Sequence, residues 1–182
     1  MKRASILALA AIFLFPALLP SLSSSGAAAQ AADPIQEIRQ QYAAINRRQK
    51  RYKRVKKQLS GFSLEGGELV AYFDGPSIVK IVANHYGEGG SAVEEYYFSR
   101  DQLLFVFRKD QRYDRPLSGK VVRTEETRFY FDNDRLLRWL DEKGEQVSLT
   151  TDEAKQKRTD YLETSSKFLA GARSKNATIE AE

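Results

Sequence analysis

The sequence predicts an α+β domain with a long N-terminal helix, an antiparallel meander of about six strands built from three hairpin repeats, and a C-terminal helix. Apolar residues recur at steps of three and four from Ile35 to Leu59, the period of a helix face. Between Phe62 and Leu149 the period drops to two and one pattern occurs three times. A capping signal at Thr150 then opens a second helical stripe.

The chain starts with an address. Lys2 and Arg3 precede an apolar stretch from Ala4 to Leu19, and a Ser/Gly/Ala-rich run from Ser21 to Ala31 follows. This is the order of a secretory signal peptide over 1–31, with cleavage expected after Ala31 and the bond after Ala29 as second choice. A retained anchor is the competing reading. It would need about 20 apolar residues, and Pro16 and Pro20 interrupt the run. No membrane span is therefore expected after processing, and residues 32–173 read as a single domain.

The first helix is expected over 34–59. Asp33 is a good N-cap, Pro34 suits the first helical position, and Glu37 complements the helix dipole. Ile35, Ile38, Tyr42, Ile45, Gln49, Tyr52, Val55 and Leu59 form one narrow face, and Ser60 and Gly61 end it.

The meander is expected between 68 and 149. Its repeat units begin at Tyr72-Phe73, Tyr97-Phe98 and Tyr130-Phe131. Each continues through four turn-forming residues to an aliphatic pair, Ile78-Val79, Leu103-Leu104 or Leu136-Leu137. That is the form of a β-hairpin. Alternation puts Phe73, Phe98 and Phe131 with Ile78, Leu103 and Leu136 on one face. The three tyrosines fall on the other with Val79, Leu104 and Leu137, followed by Ile81, Val106 and Trp139. Both faces are apolar near the turns, so both need covering, or the sheet curls around a helix. Tyr72, Tyr97, Tyr130 and Trp139 make a candidate ligand face because phenols can hydrogen-bond. Packing into a core is the reading we favour for these aromatics.

The second helix is expected over 151–171, with Thr150 as cap and Glu153 reaching back to it. Ala154, Tyr161, Leu162, Ser165, Phe168, Leu169 and Ala172 make its stripe. Gly171 marks its end, and 174–182 reads as a flexible tail.

Charge is unevenly spread. The net charge is +5, yet eight of the eleven residues from Arg47 to Lys57 are basic and none is acidic. Arg47, Arg48, Lys50, Arg51, Lys53, Arg54, Lys56 and Lys57 are therefore candidate contacts for a polyanion such as an anionic envelope polymer. The reading we favour is a solvated helix face partly paired within the molecule.

Chemistry is sparse. The absence of Cys excludes disulfides, thiolate metal sites, thiol catalysis and a lipoprotein anchor. His85 is the single imidazole, and with Glu88, Glu94 and Glu95 nearby it is the one place for a metal or a general base. A loop residue is the plainer reading. Glu94 and Glu95 alternate across a strand and cannot share a proton. No nucleophile elbow, zinc-binding helix motif or phosphate loop is present, and no catalytic residue, metal or cofactor is expected.

The runs Leu59 to Glu68, Val70 to Gly75, Glu94 to Phe98 and Arg128 to Phe131 resemble a family of small exported bacterial proteins without an assigned activity. The likeness spans about Ile35 to Leu169. It implies a periplasmic or secreted bacterial protein and brings no ligand or site residue. The expectation is a non-enzymatic binding or interaction module that uses the hairpin sheet toward a protein or small ligand. Polyanion binding by the basic run is the alternative, and a hydrolase working through carboxylates comes third.

Overall fold

The computed structural model describes residues 33–181, so the expected signal peptide over 1–31 and its expected cleavage at Ala31 lie outside the described residues. Helix α1 spans Pro34–Arg48, and the Asp33 carboxylate caps it by accepting from the Ile35 amide at 3.0 Å. Ile35, Ile38 and Ile45 are its buried face.

α1 ends 11 residues before the expected Leu59. A 3-10 turn over Gln49–Arg51 leads to an extended Tyr52, and the chain continues as strand β1, Lys53–Ser60. The basic run is thus a helix end, a turn and a strand, not a helix face. Tyr52, Val55 and Leu59 satisfy helical spacing, whereas the strand reading needs Lys57 to point inward between Val55 and Leu59. It does, at 7% exposure.

The remaining elements are β2 (Gly67–Asp74), β3 (Ser77–Gly87), β4 (Gly90–Ser99), β5 (Gln102–Tyr113), β6 (Val121–Asp132), β7 (Arg135–Leu140), α2 (Asp152–Arg173) and β8 (Thr178–Glu180). The sheet has eight strands where about six were expected, in the order β7-β6-β5-β4-β3-β2-β1-β8. The additional strands are β1, expected as helix, and β8, expected as loose tail. All neighbours are antiparallel except β1 and β8.

The three hairpins turn through two-residue loops. Arg100-Asp101 and Asn133-Asp134 both have positive φ at each position, as a type I′ turn demands. In Gly75-Pro76 the glycine supplies the positive φ that the first position of a type II′ turn requires. Each hairpin then carries a β-bulge in the same place. Phe73 faces Ile78 but Tyr72 faces Lys80, so Val79 is the extra residue. Leu104 and Leu137 are its counterparts.

The bulge decides the faces. The Phe and Tyr sets separate as expected, and the two faces have cores of their own. Beyond the bulge, alternation is offset by one residue. Ile81, Val106 and Trp139 therefore join the Phe face, not the Tyr face. α1 covers the Tyr face and α2 the Phe face, which makes three layers.

α2 starts one residue later than expected. Thr151, not Thr150, is the cap, accepting from the Ala154 amide at 3.1 Å, while the Thr150 hydroxyl lies 3.0 Å from that of Ser148. Gly171 does not end α2 but makes a notch in it. A Cβ there would lie 2.6 Å from Ile179, so only glycine lets β8 pack this closely. With Ile179 buried, residues 178–180 pair in parallel with Gln58–Ser60, and that part of the expected tail belongs to the fold.

Candidate functional site

Helix α1 seals the proposed Tyr face. Tyr72, Tyr97 and Tyr130 are buried. The Tyr72 hydroxyl accepts from Gln49 at 3.1 Å, Tyr97 donates to the carboxylate of Glu95, and Arg39 lies over the Tyr130 ring. Lys80, 3% exposed, bridges Glu95 at 3.0 Å and Asn46 of α1 at 3.1 Å. These phenols hold a helix and leave no ligand surface. Trp139 lies on the opposite face, where the bulge sends it, stacked on Phe129 at 5.4 Å.

The basic residues divide. Arg47 and Arg48 sit in the last turn of α1, Lys50 and Arg51 in the 3-10 turn, and Lys53, Arg54 and Lys56 on β1. All seven are exposed. None forms an ion pair among the described residues, which removes the expected pairing within the molecule. Lys57 is no polyanion contact, because its Nζ is buried and donates to the carbonyls of Ser174 and Asn176.

A cleft of about 710 Å³ opens on the α2 side, where the long strands β3 to β6 run past the helix. Glu94 lies at its floor. Its position follows from β4, where Glu94-Glu95-Tyr96-Tyr97 alternates faces and each carboxylate accepts from the tyrosine two residues on. Tyr96 donates to Glu94 Oε2 at 2.6 Å, and His85 Nε2 lies 3.3 Å from the same oxygen. Arg108, directly opposite on β5, donates to Glu94 Oε1 at 2.6 Å. Arg108 also forms a bidentate pair with Asp110, at 2.8 and 2.6 Å. The sequence placed His85 beside Glu88, Glu94 and Glu95. Of these, Glu94 meets it, and Glu95 is on the other face. Arg108, Asp110, Tyr96 and Tyr161 went unrecognised.

Burial raises the Glu94 pKa, but the His85 hydrogen bond and the Arg108 charge outweigh it and hold the carboxyl at about 2, below its ordinary 4.5. Burial, reinforced by the Glu94 charge, pushes the phenols of Tyr96 and Tyr161 up. Glu94 is thus a poor proton acceptor at neutral pH and the phenols are poor nucleophiles. Arg108 has five N–H donors, of which three are spent on Glu94 and Asp110. The His85 Nδ1 is buried without a partner among the described residues.

The walls are balanced in charge. Arg108, Arg112, Arg123 and Lys157 face Glu94, Asp110, Glu125 and Asp160, while Phe62, Leu64 and Tyr86 form an apolar lip. Among the described residues no cluster of three His, Asp or Glu side chains is placed to hold a metal ion. Comparison with family models, curated proteins and solved structures finds no match to this chain.

Proposed function

We propose that the protein is an exported, non-enzymatic binding module of the bacterial cell envelope, and that its ligand seat is the α2-side cleft. The ligand class is a small zwitterion of the amino-acid or short-peptide kind. The observation that carries this reading is Arg108. Its guanidinium is fixed by Glu94 and Asp110, is 35% exposed, lines the cleft and keeps two N–H donors for a ligand acceptor. Equal numbers of cationic and carboxylate side chains around it suit a ligand with both signs of charge. A glycosidase-type reaction needs a carboxylic acid protonated near neutral pH, and a Glu94 pKa of about 2 argues against that role.

The experiment is a screen of amino acids and dipeptides by thermal shift, followed by NMR mapping. A binder should perturb the amides of His85, Ala92 and Thr164, and Arg108→Gln should weaken it by at least about tenfold, the loss expected for a charge-assisted hydrogen bond. Perturbations confined to the α1 side, or binding indifferent to Arg108, would remove the cleft from consideration. Export is tested separately by N-terminal sequencing of protein expressed in a Gram-negative host, with Ala32 the expected first residue. A retained Met1 in the membrane fraction overturns it.

A further inference from the structure

We infer that the outer edge of β1 takes an extended acidic polypeptide as an added β-strand. β2 pairs with β1 along its inner side from Lys53 to Leu59, whereas β8 covers the outer side only at Gln58–Ser60. Among the described residues the outer side of Lys53–Lys56 has no strand beside it; at Lys57 the segment leading into β8 begins, with Asn176 accepting from Lys57 and Ala177 from the Gln58 amide. Four residues of strand span about 13 Å, a length that strand addition can use. The same edge already accepts one parallel strand, from the chain's own 178–180, so an incoming segment would pair with the part of the edge before Lys57.

The side chains set the sign of the partner. Arg54 and Lys56 lie opposite Tyr72 and Val70, on the α1 side, and Lys53 lies opposite Phe73, on the α2 side. Cations therefore flank the edge above and below, and Arg47, Arg48, Lys50 and Arg51 extend the positive surface upstream. None of these seven has an intramolecular ion pair among the described residues.

Lysine and arginine on an open edge ordinarily prevent edge-to-edge association. Here they repel the same edge of a second copy, and they attract a strand bearing carboxylates. An anionic polysaccharide or a lipid surface would meet the charge but would bring no amides to pair with the strand. Only a polypeptide satisfies both features.

The test uses the purified protein and a short synthetic peptide alternating Glu and Thr. Controls are the same peptide N-methylated at alternate residues, heparin, and vesicles containing phosphatidylglycerol. The peptide should bind, and amide exchange should slow at Arg54 and Lys56, whose N–H groups point outward in alternation with that of Gln58. N-methylation should weaken binding by at least about tenfold, because it removes the strand's donors. The combined Lys53→Glu, Arg54→Glu and Lys56→Glu variant should lose binding with its thermal unfolding unchanged. If that variant does not fold, Lys53→Gln with Lys56→Gln replaces it, with a smaller loss expected. Equal binding of the N-methylated peptide, binding of heparin or vesicles without the peptide, or no peptide binding overturns the inference.

Discussion

Glu94 and Glu95 are consecutive on β4 and face opposite ways, and each sits in a network of similar parts: a tyrosine two residues on, a cation and a covering helix. On the α1 side Asn46 of the helix and Gln49 of the 3-10 turn that follows it come down onto Lys80 and Tyr72, so the network is closed by the covering segment itself. On the α2 side the helix contributes the ring of Tyr161, 4.6 Å from Phe129, and no hydrogen bond to Glu94 or Arg108 among the described residues. The half-buried Glu95 carboxylate is part of a lock, and the buried Glu94 carboxylate is the floor of an opening. The side-chain amides of Asn46 and Gln49 make the difference, because they use the polar groups that the sheet presents.

The strongest way to break the α2 side is to remove its packing. Phe131→Ala and Phe98→Ala should each cost about 3–5 kcal/mol in chemical denaturation, as both rings are fully buried in that core. A loss below about 1 kcal/mol at both would mean that this face is not the core.

Next in size is Glu94→Gln. A carboxyl at about 2 when folded, against an ordinary 4.5, contributes stability that is complete above about pH 4.5 and is lost as pH falls toward 2. The contribution is on the order of 3 kcal/mol. The variant should be destabilised at neutral pH by about 2–3 kcal/mol and should lose less than wild type between pH 4.5 and 2. Parallel acid limbs in the two proteins would contradict the Glu94 network.

Glu95→Gln sharpens the comparison. Glu95 is 25% exposed, and water can replace part of what it gives Lys80 and Tyr97, so about 1–2 kcal/mol is expected at neutral pH. A cost exceeding that of Glu94→Gln would reverse the ranking of the two faces. The smallest effect belongs to Lys57→Met, which removes the donor to Ser174 and Asn176 at a cost of about 1 kcal/mol. Amide exchange should then quicken at Ile179 while the hairpins stay protected.

The hairpins, their turns and the separation of Tyr from Phe were legible because aromatic and aliphatic pairs flank turn-forming residues in every copy. β1 was not, because Tyr52, Val55 and Leu59 fit a helix face as well as a strand and Lys57 hid the alternation. β8 was hidden because a three-residue strand with one apolar residue has no period to read. The cleft was hidden by register. Counted back from Arg100-Asp101 without a bulge, Glu94 falls opposite Phe107. With Leu104 bulged out it meets Arg108. A single extra residue brings the carboxylate and guanidinium together, and composition and spacing do not reveal it.

That extra residue recurs at the same place in three consecutive hairpins, with starts 25 and 33 residues apart. Each hairpin therefore carries its own parity correction, and the chain leaves it with the same inside–outside assignment as the next copy requires. The faces of one hairpin are set within that hairpin and not by the length of the connection that joins it to the next. The longer connection from β5 to β6 carries a register shift of its own at Arg112/Tyr113, beyond the repeat, and Phe105 still meets Tyr130 and Val106 still meets Phe129. The bulge is a local kink in one strand, and for the sheet as a whole it is what makes each hairpin a self-contained unit of facing.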